Sequence, residues 1–351
     1  MFDIVNTPSF NKERLTAGDE YDYVTRTSLN QGILQGTGFV NESNLNEANV
    51  WSLGLLQMDF FYRKRKWYAG QFVRKIIPKF DITVNSAKFF TVMLNKLKPV
   101  LMQVLVRNVD ETFRSQSLCL PTKAGQIDFD FMESFIAELE AERIAELEAY
   151  LKVSGLDNYE LSDEELKALR NYDSLEWKEF NLEKLFGKST RGKRLRSLDR
   201  ISGDLPFVTA GETNTGISAY ISNEVEIFKA NTVTIDMFGS AKYRNYDYGA
   251  DDHIAVVHTE KLNKFASLFT TAAIHKASYS GKFSYDKNFY AKDADELVIA
   301  LPVDCQGVIQ YDYMSLIASA IQKLVIKDVV KYTNERIETT KEVVTSHNTN
   351  Y

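Results

Sequence analysis

The residues of this chain that could do chemistry are cations and amides set among aromatic rings. The densest run is Arg63-Lys64-Arg65-Lys66, preceded by Phe60, Phe61 and Tyr62 and followed by Trp67 and Tyr68, with Arg74 and Lys75 close behind. Such a run suits a polyanion. Lysine and arginine meet phosphates, and an arginine presents two parallel donors that match guanine O6 and N7. The same run also reads as a solvated basic loop. A second stretch, Ser240 to Tyr246, carries Lys242, Arg244 and Asn245. A third, Lys188 to Arg200, holds Arg191, Lys193, Arg194 and Arg196, with Gly187 and Gly192 permitting close backbone approach. Two turns add further groups: Thr25, Arg26, Asn30 and Gln31 in one, Thr209, Glu212, Thr213 and Asn214 in the other. Amides there match adenine, and a glutamate accepts from cytosine N4. Asparagine near glycine is equally ordinary turn chemistry.

Little in the sequence points to catalysis. The four histidines (His253, His258, His275, His347) are not spaced with cysteines or carboxylates as zinc ligands are. Asp251-Asp252-His253 is a candidate metal or catalytic cluster, but no nucleophile or base accompanies it. There is no G-x-x-x-x-G-K-[ST] phosphate loop and no Asn-Pro-Pro-aromatic motif of the amino-methyltransferase kind. Cys119 and Cys305 are too few for a disulfide framework and are expected as small buried residues in a reducing cytosol. A composition 44% apolar and 26% charged is globular. No apolar run approaches the roughly 18 residues of a membrane span. The opening MFDIVNTPSF lacks a basic stretch followed by an apolar core, so no secretion signal is read and a cytoplasmic location is expected. The net charge of −6 disfavours nucleic acid only until its distribution is considered. Acidic residues crowd 128–176, and the basic runs lie elsewhere.

The elements that must position these groups come twice. LPTKAGQIDFDFM at 120–132 returns as LPVDCQGVIQYDYM at 301–314, with a constant offset of 182 positions for its matched residues (125 to 307, 127 to 309, 130 to 312, 132 to 314). A long amphipathic segment follows each. The first carries Met132, Phe135, Ile136, Leu139, Ile144, Leu147 and Leu151; the second carries Ile317, Ile321, Leu324, Val325, Val329 and Tyr332. Upstream, EYDYVTRTSLNQGI at 20–33 lies over DLPFVTAGETNTGI at 204–217, and Asn49 lies over Asn231. Strand-like runs are expected at Tyr21 to Thr27, Val50 to Leu56 and Phe72 to Ile77, and a helix over 86–106. Between the copies, Gly155 is a helix C-cap candidate and Ser162 starts a capped helix over 163–170. The second copy opens with WKEFNLEKLF, whose Phe186 matches Phe2. The first copy therefore lacks that opening strand, or the sequence starts inside it. The fold class is α+β: domain, helix, domain, helix, with the two helices expected to pair as an antiparallel coiled coil of pseudo-twofold symmetry.

These blocks carry a family resemblance. The two PFVTAG-like stretches with their N-x-G-I, the W-K-E-F…L-F opening and the two L-P…G-x-I-x-[FY]-D-[FY]-M helix starts resemble the DNA-specificity subunits of restriction–modification systems. The connector YLKVSGLDNYELSDEELKAL is most similar to type IIB, BcgI-like subunits, and type I subunits share the plan. The resemblance implies a first target recognition domain at 1–122, a spacer helix at 123–154 and an acidic connector at 155–176. It places a second recognition domain at 177–304 and a second spacer helix at 305–345. It implies that double-stranded DNA is bound, each domain reading one half of a split sequence, and that methyltransferase and endonuclease catalytic subunits dock on the chain. Catalysis, S-adenosylmethionine and Mg²⁺ then belong to the partner, with no cofactor in this chain. The residues of the basic runs and turns named above become the candidate DNA contacts. An adaptor that bridges proteins without binding DNA is the other class of reading, and duplex binding separates the two.

Overall fold

The computed structural model describes residues 1–348, with side chains described through Glu338. The strand Val50–Gly54 has no exposed residue, because it is covered on both faces. Trp51 and Leu53 enter the main core of the first unit with Phe60, Ile76, Phe90, Leu94 and Met132. Val50, on the other face, joins Val24, Trp67, Ala69 and Val73. This strand is central in an antiparallel sheet whose order is Phe2–Asn6, Val73–Pro78, Val50–Gly54, Asp59–Arg63. A second sheet runs Ile33–Thr37, Tyr21–Val24, Trp67–Ala69, Leu45–Asn46, with one parallel pairing between Tyr21–Val24 and Trp67–Ala69.

The second unit repeats this plan. Thr190–Arg191, Ile254–Val257, Thr232–Asp236 and Ala241–Arg244 form the first sheet. Ile217–Ile221, Ser202–Val208 and Gly249–Ala250 form the second, again with a parallel pairing next to the turn. Packing divides the chain into Met1–Leu147, joined by the chain from Ile337, and Glu148–Arg336.

In each unit a helix covers the first sheet. Val84–Asn95 begins at a capping box in which Thr83 Oγ1 accepts from Ser86 N (3.1 Å) and Ser86 Oγ accepts from Thr83 N (2.9 Å). It stops well short of the expected residue 106. The chain rewinds at Lys98–Leu101, where Pro99 fits only a first helical turn. Its counterpart, Lys264–Ser278, starts at Asn263, whose Oδ1 accepts from Ala266 N (2.9 Å).

The two long helices are Phe129–Val153 and Tyr311–Asn348. Ile127, Phe129 and Phe131 alternate for a few residues, and a helix is expected from near Asp130 or Met132. Only Gln126–Ile127 pairs, with Thr122–Lys123, and the helix takes both phenylalanines. Ala124 and Gly125 turn this hairpin at positive φ (51° and 78°). Met132 and Met314 are each completely buried, and each roots its helix in the core of its own unit. The first helix is further held where Glu133 accepts from Ser86 N (2.9 Å) and Lys88 pairs with Glu140. It ends at Gly155, φ +63°, with Leu156 N donating to Leu151 O (2.8 Å), a left-handed C-terminal closure. Of the apolar stripe on the second helix, Ile317 is buried, while Ile321, Leu324, Val325, Val329 and Tyr332 are at least 44% exposed.

Cys119 and Cys305 are exposed rather than buried. Cys305 sits in a turn that Asp304 fastens by accepting from Gln306 N and Val308 N, so its side chain falls outside the core. In the second unit Glu176–Asn181 pairs with Val298–Val303. Among the described residues no strand faces Gln116–Pro121, the corresponding segment of the first unit, and it forms no strand itself. An extended segment without a neighbour has no ladder to define it. Among the described residues no helix is long and apolar enough to cross a membrane.

The connector helix Asp163–Arg170 docks on the second long helix through one buried carboxylate. Glu165 is 4% exposed and accepts from Ser319 Oγ (2.6 Å), Lys323 Nζ (2.9 Å) and Ser162 N (2.8 Å). Burial opposes its charge, yet these bonds prevail and hold the carboxyl below its usual range. A depressed folded-state value means that the stabilisation is complete above the ordinary carboxylate pKa and is lost as pH falls through the folded one. Glu165→Ala, which strands Lys323, is expected to destabilise the second unit by about 3 kcal/mol at pH 7 in urea denaturation, and by much less at acid pH.

Candidate nucleic-acid interface

A shared backbone device occurs once in each unit. A strand enters a β-bulge at Tyr23/Val24, and its counterpart does so at Phe207/Val208. The chain then turns through three consecutive left-handed residues. These are Asn30, Gln31 and Gly32 (φ 45°, 54°, 79°) in the first unit and Asn214, Thr215 and Gly216 (φ 48°, 53°, 85°) in the second. Each non-glycine residue there costs about 1–2 kcal/mol, so the surroundings must hold the conformation. Thr25 N donates to Gly32 O (2.8 Å) and Thr209 N to Gly216 O (2.9 Å), closing each loop at its neck.

Beneath each loop lies a buried arginine. Arg63 and Arg244 are 2% and 1% exposed. Strand register makes them equivalent: Val50 faces Arg63 as Thr232 faces Arg244. Arg63 Nε donates to Ser52 Oγ and Arg244 Nε to Thr234 Oγ1, each at 2.9 Å. The Arg63 guanidinium also donates to the carbonyl of Gln31 inside the left-handed loop. Burial lowers Arg63 to about 10, against the favourable field of Asp22, so it remains a cation at neutral pH. The residue before each arginine repeats as well. Tyr62 and Tyr243 donate to Asn49 Oδ1 (3.0 Å) and Asn231 Oδ1 (2.9 Å), asparagines at φ 60° and 64°.

The basic runs are therefore not single patches. Arg63 ends a strand and turns inward, as does Arg244; neither guanidinium faces solvent, where a phosphate contact was expected. Lys64, Arg65 and Lys66 lie past the strand end and are exposed. Arg65 is bonded to Asp22 (2.9 Å), Lys66 lies 3.4 Å from Glu47, and Arg74 is paired with Asp110 (2.9 Å). Lys242 is enclosed by Glu212 (3.2 Å), Ser240 Oγ (2.9 Å) and Asp236 (3.5 Å). The Ser240 hydroxyl and then Lys242 hold the Glu212 carboxyl below its usual range. Asn245, Lys193, Arg194 and Arg196 are exposed, the last bonded to Asp199 (2.6 Å). Asn30, Gln31 and Asn214 are exposed on the loops, Thr209 is half-buried at a neck, and Arg26 is exposed beside Phe72, 5.2 Å from the ring centre. Gly192 is needed for packing: a Cβ there would stand 1.7 Å from Ala250 O. Asp251, Asp252 and His253 do converge, with ligand atoms within 4.8 Å. Asp251 is already used to fasten Leu195 N (3.3 Å), and His253 lies 3.1 Å from Asp252.

In the first unit the loop borders a cleft of about 750 Å³. Arg26 and Ser28 line it from the loop, together with Asn11, Lys12, Gln57 and Gln71. Sequence reasoning missed the last four. They are scattered singly, and only the register of the strands brings them together. Phe10 N donates to Ala69 O and Lys193 N to Ala250 O, each at 3.1 Å, so the basic run from Lys193 occupies in the second unit the place of Phe10–Glu13. Equivalent rims thus carry different side chains: Asn11 and Lys12 in one, Arg194 and Leu195 in the other.

Comparison with known proteins decides what the two frames belong to. Residues 1–149 and 174–338 each match the type I restriction modification DNA specificity domain. The chain belongs to this family, the specificity subunits of restriction–modification systems. It is 24% identical over 298 residues to the specificity subunit S.BcgI of a type II restriction enzyme from Heyndrickxia coagulans, covering 83% of each chain. The type I restriction–modification S subunit of M. genitalium shares its fold at a TM-score of 0.62 and 13% identity, over 98% of this chain and 92% of that one.

The left-handed loops of this specificity subunit set a stability test. Gly216→Ala would place a methyl 2.8 Å from Thr209 O at φ +85° and is expected to cost about 2 kcal/mol in urea denaturation. Gly125→Ala, at φ +78° with nothing within 4 Å, is expected to cost about 1 kcal/mol. Equal costs would show that the loop neck is not tightly closed.

Proposed function

We propose that the chain reads a split sequence on double-stranded DNA, one half with each unit, and brings a catalytic partner to it. The observation that carries this reading is the repeated loop frame, which shares one asparagine and differs in the residues beside it. Asn30, Gln31 and Arg26 stand in one copy where Asn214, Thr215 and Ala210 stand in the other. Two frames of one shape with different surface chemistry suit two different half-sites, since base edges are told apart by donor and acceptor pattern. Exposed Lys64, Lys193 and Arg194 would meet phosphates, which position without specifying. Asn245 and the loop amides are the residues assigned to base edges.

The recognition domains in this reading are 1–122 and 177–304, the spacer helices 123–154 and 305–345, and the acidic connector 155–176. The two helices pair as an antiparallel coiled coil and set the distance between half-sites. At 25 residues the first is about 37 Å long, close to one turn of duplex. The exposed row Ile321, Leu324, Val325, Val329 and Tyr332 is an apolar face that a docked subunit would cover. Methyl transfer and cleavage are the work of the methyltransferase and endonuclease subunits, with S-adenosylmethionine and Mg²⁺ held there. The chain adds no catalytic group of its own and acts in the cytoplasm, where the DNA is. That apolar row also supports the adaptor reading, in which the helices bridge proteins and no DNA is bound.

Selection from randomised duplexes, with the catalytic partner present, tests the proposal. Two short fixed blocks separated by an unspecified spacer are expected, and matched insertions in both helices should lengthen the spacer while leaving the blocks unchanged. Affinity should fall with salt as several counterions are released. A single uninterrupted motif would defeat the split-site reading, and absence of duplex binding would favour the adaptor.

A further inference from the structure

We infer that Arg63 and Arg244 are positioning residues for base selection: each buried guanidinium holds the left-handed loop above it in the shape that presents Asn30 and Gln31, or Asn214 and Thr215, to a half-site. The inference rests on the proposed reading of split DNA and adds to it two residues that touch no DNA.

Three observations support it. First, a buried cation is costly unless it is well partnered. Among the described residues Arg63 has no carboxylate in direct contact: its field partner Asp22 is itself bonded to Arg65, and its hydrogen bonds go to a hydroxyl and a loop carbonyl. A fold that needed only a filled core would do better with an apolar side chain there. Second, most of the arrangement occurs in both units, although the bond from guanidinium to loop carbonyl is made by Arg63 and replaced in Arg244 by one to Tyr246. The same Nε-to-hydroxyl bond, the same tyrosine-to-asparagine bond before it and the same three positive φ values recur. In the second unit Arg244 Nη2 comes within 3.6 Å of where a Gly216 side chain would begin, and Nη1 donates to Tyr246 (2.9 Å). Third, what the arginines support is shared only in part, since Asn30 and Asn214 are the same residue. Gln31 and Thr215 differ, as do Arg26 and Ala210, while the supporting Tyr-Arg pair is identical. An invariant strut under a variable tip lets the tip change its bases without rebuilding the frame.

The test uses the full chain with its catalytic partner and a randomised duplex library, comparing wild type with Arg63→Met and Arg244→Met. Arg63→Met is expected to reduce discrimination at the first half-site by at least tenfold, to leave the second half-site profile unchanged, and to leave the slope of log affinity against log salt unchanged. Arg244→Met should give the mirror result. If Arg63→Met does not fold, Ser52→Ala keeps the cation and removes its Nε acceptor. It should then lower first-half-site discrimination about threefold, and an unaltered profile would overturn the proposal. The proposal also fails if folded Arg63→Met keeps its first half-site profile, or loses both half-sites equally, as general destabilisation would. A salt slope reduced by about one would mean that Arg63 meets a phosphate directly, again overturning it. Failure of the wild type to select any split motif would instead defeat the reading of split DNA on which this inference rests.

Discussion

A positive charge sealed beneath a loop of left-handed residues is the constraint on which the rest of this structure depends. Three successive residues with positive φ do not persist unaided, because each non-glycine member is held against its own sterics. The loop holds because its neck is closed by a backbone hydrogen bond and its floor by an arginine. That arginine is placed by a central strand whose outward hydroxyl, Ser52 or Thr234, receives Nε. The strand in turn is fixed by what lies on its other face, Trp51 and Leu53 in one unit and Val233 and Ile235 in the other. The chain of causes runs from core to strand to guanidinium to loop to exposed amide, and it runs twice.

The same logic governs how the long helices are attached. Met132 and Met314 are buried in the cores of the first sheets, so the orientation of each helix root is tied to the sheet that carries the arginine beneath the loop. Glu133 reaches the start of the covering helix in the first unit, and in the second Ser315 meets Asn263 at the start of its counterpart. Glu165 fastens the connector to the second long helix by three hydrogen bonds. A loop fixed to a strand and a helix fixed to the same core give a reading surface whose place along the helix does not drift.

Much of this was legible in residue order. The offset of 182 positions between matched glycines, aspartates and methionines announced two copies, and Ser162 with Glu165 announced a capped helix that forms as expected, Asp163–Arg170. The site was legible only in part. Arg63 reads as the head of a basic run, but a strand ends on it and turns it inward, whereas Lys64 to Lys66 fall beyond the ladder and stay outside. Composition cannot reveal where a strand stops. Asn11, Lys12, Gln57 and Gln71 carry no local signal, because a cleft built from strand ends and turns draws single residues from distant places. The cysteines misled for a related reason: burial is decided by the turn that follows a strand, and Asp304 ties Cys305 into one.

The most direct measurement of the central claim is the sequence selected by a chain that carries the second recognition body in both positions, residues 187–297 replacing 2–116. If each frame reads one half-site independently and the exposed tips decide the bases, randomised duplexes will yield the second half-site twice and the first not at all. Persistence of the first half-site, or a motif unrelated to either, would show that the bases are read by something other than the two loop frames.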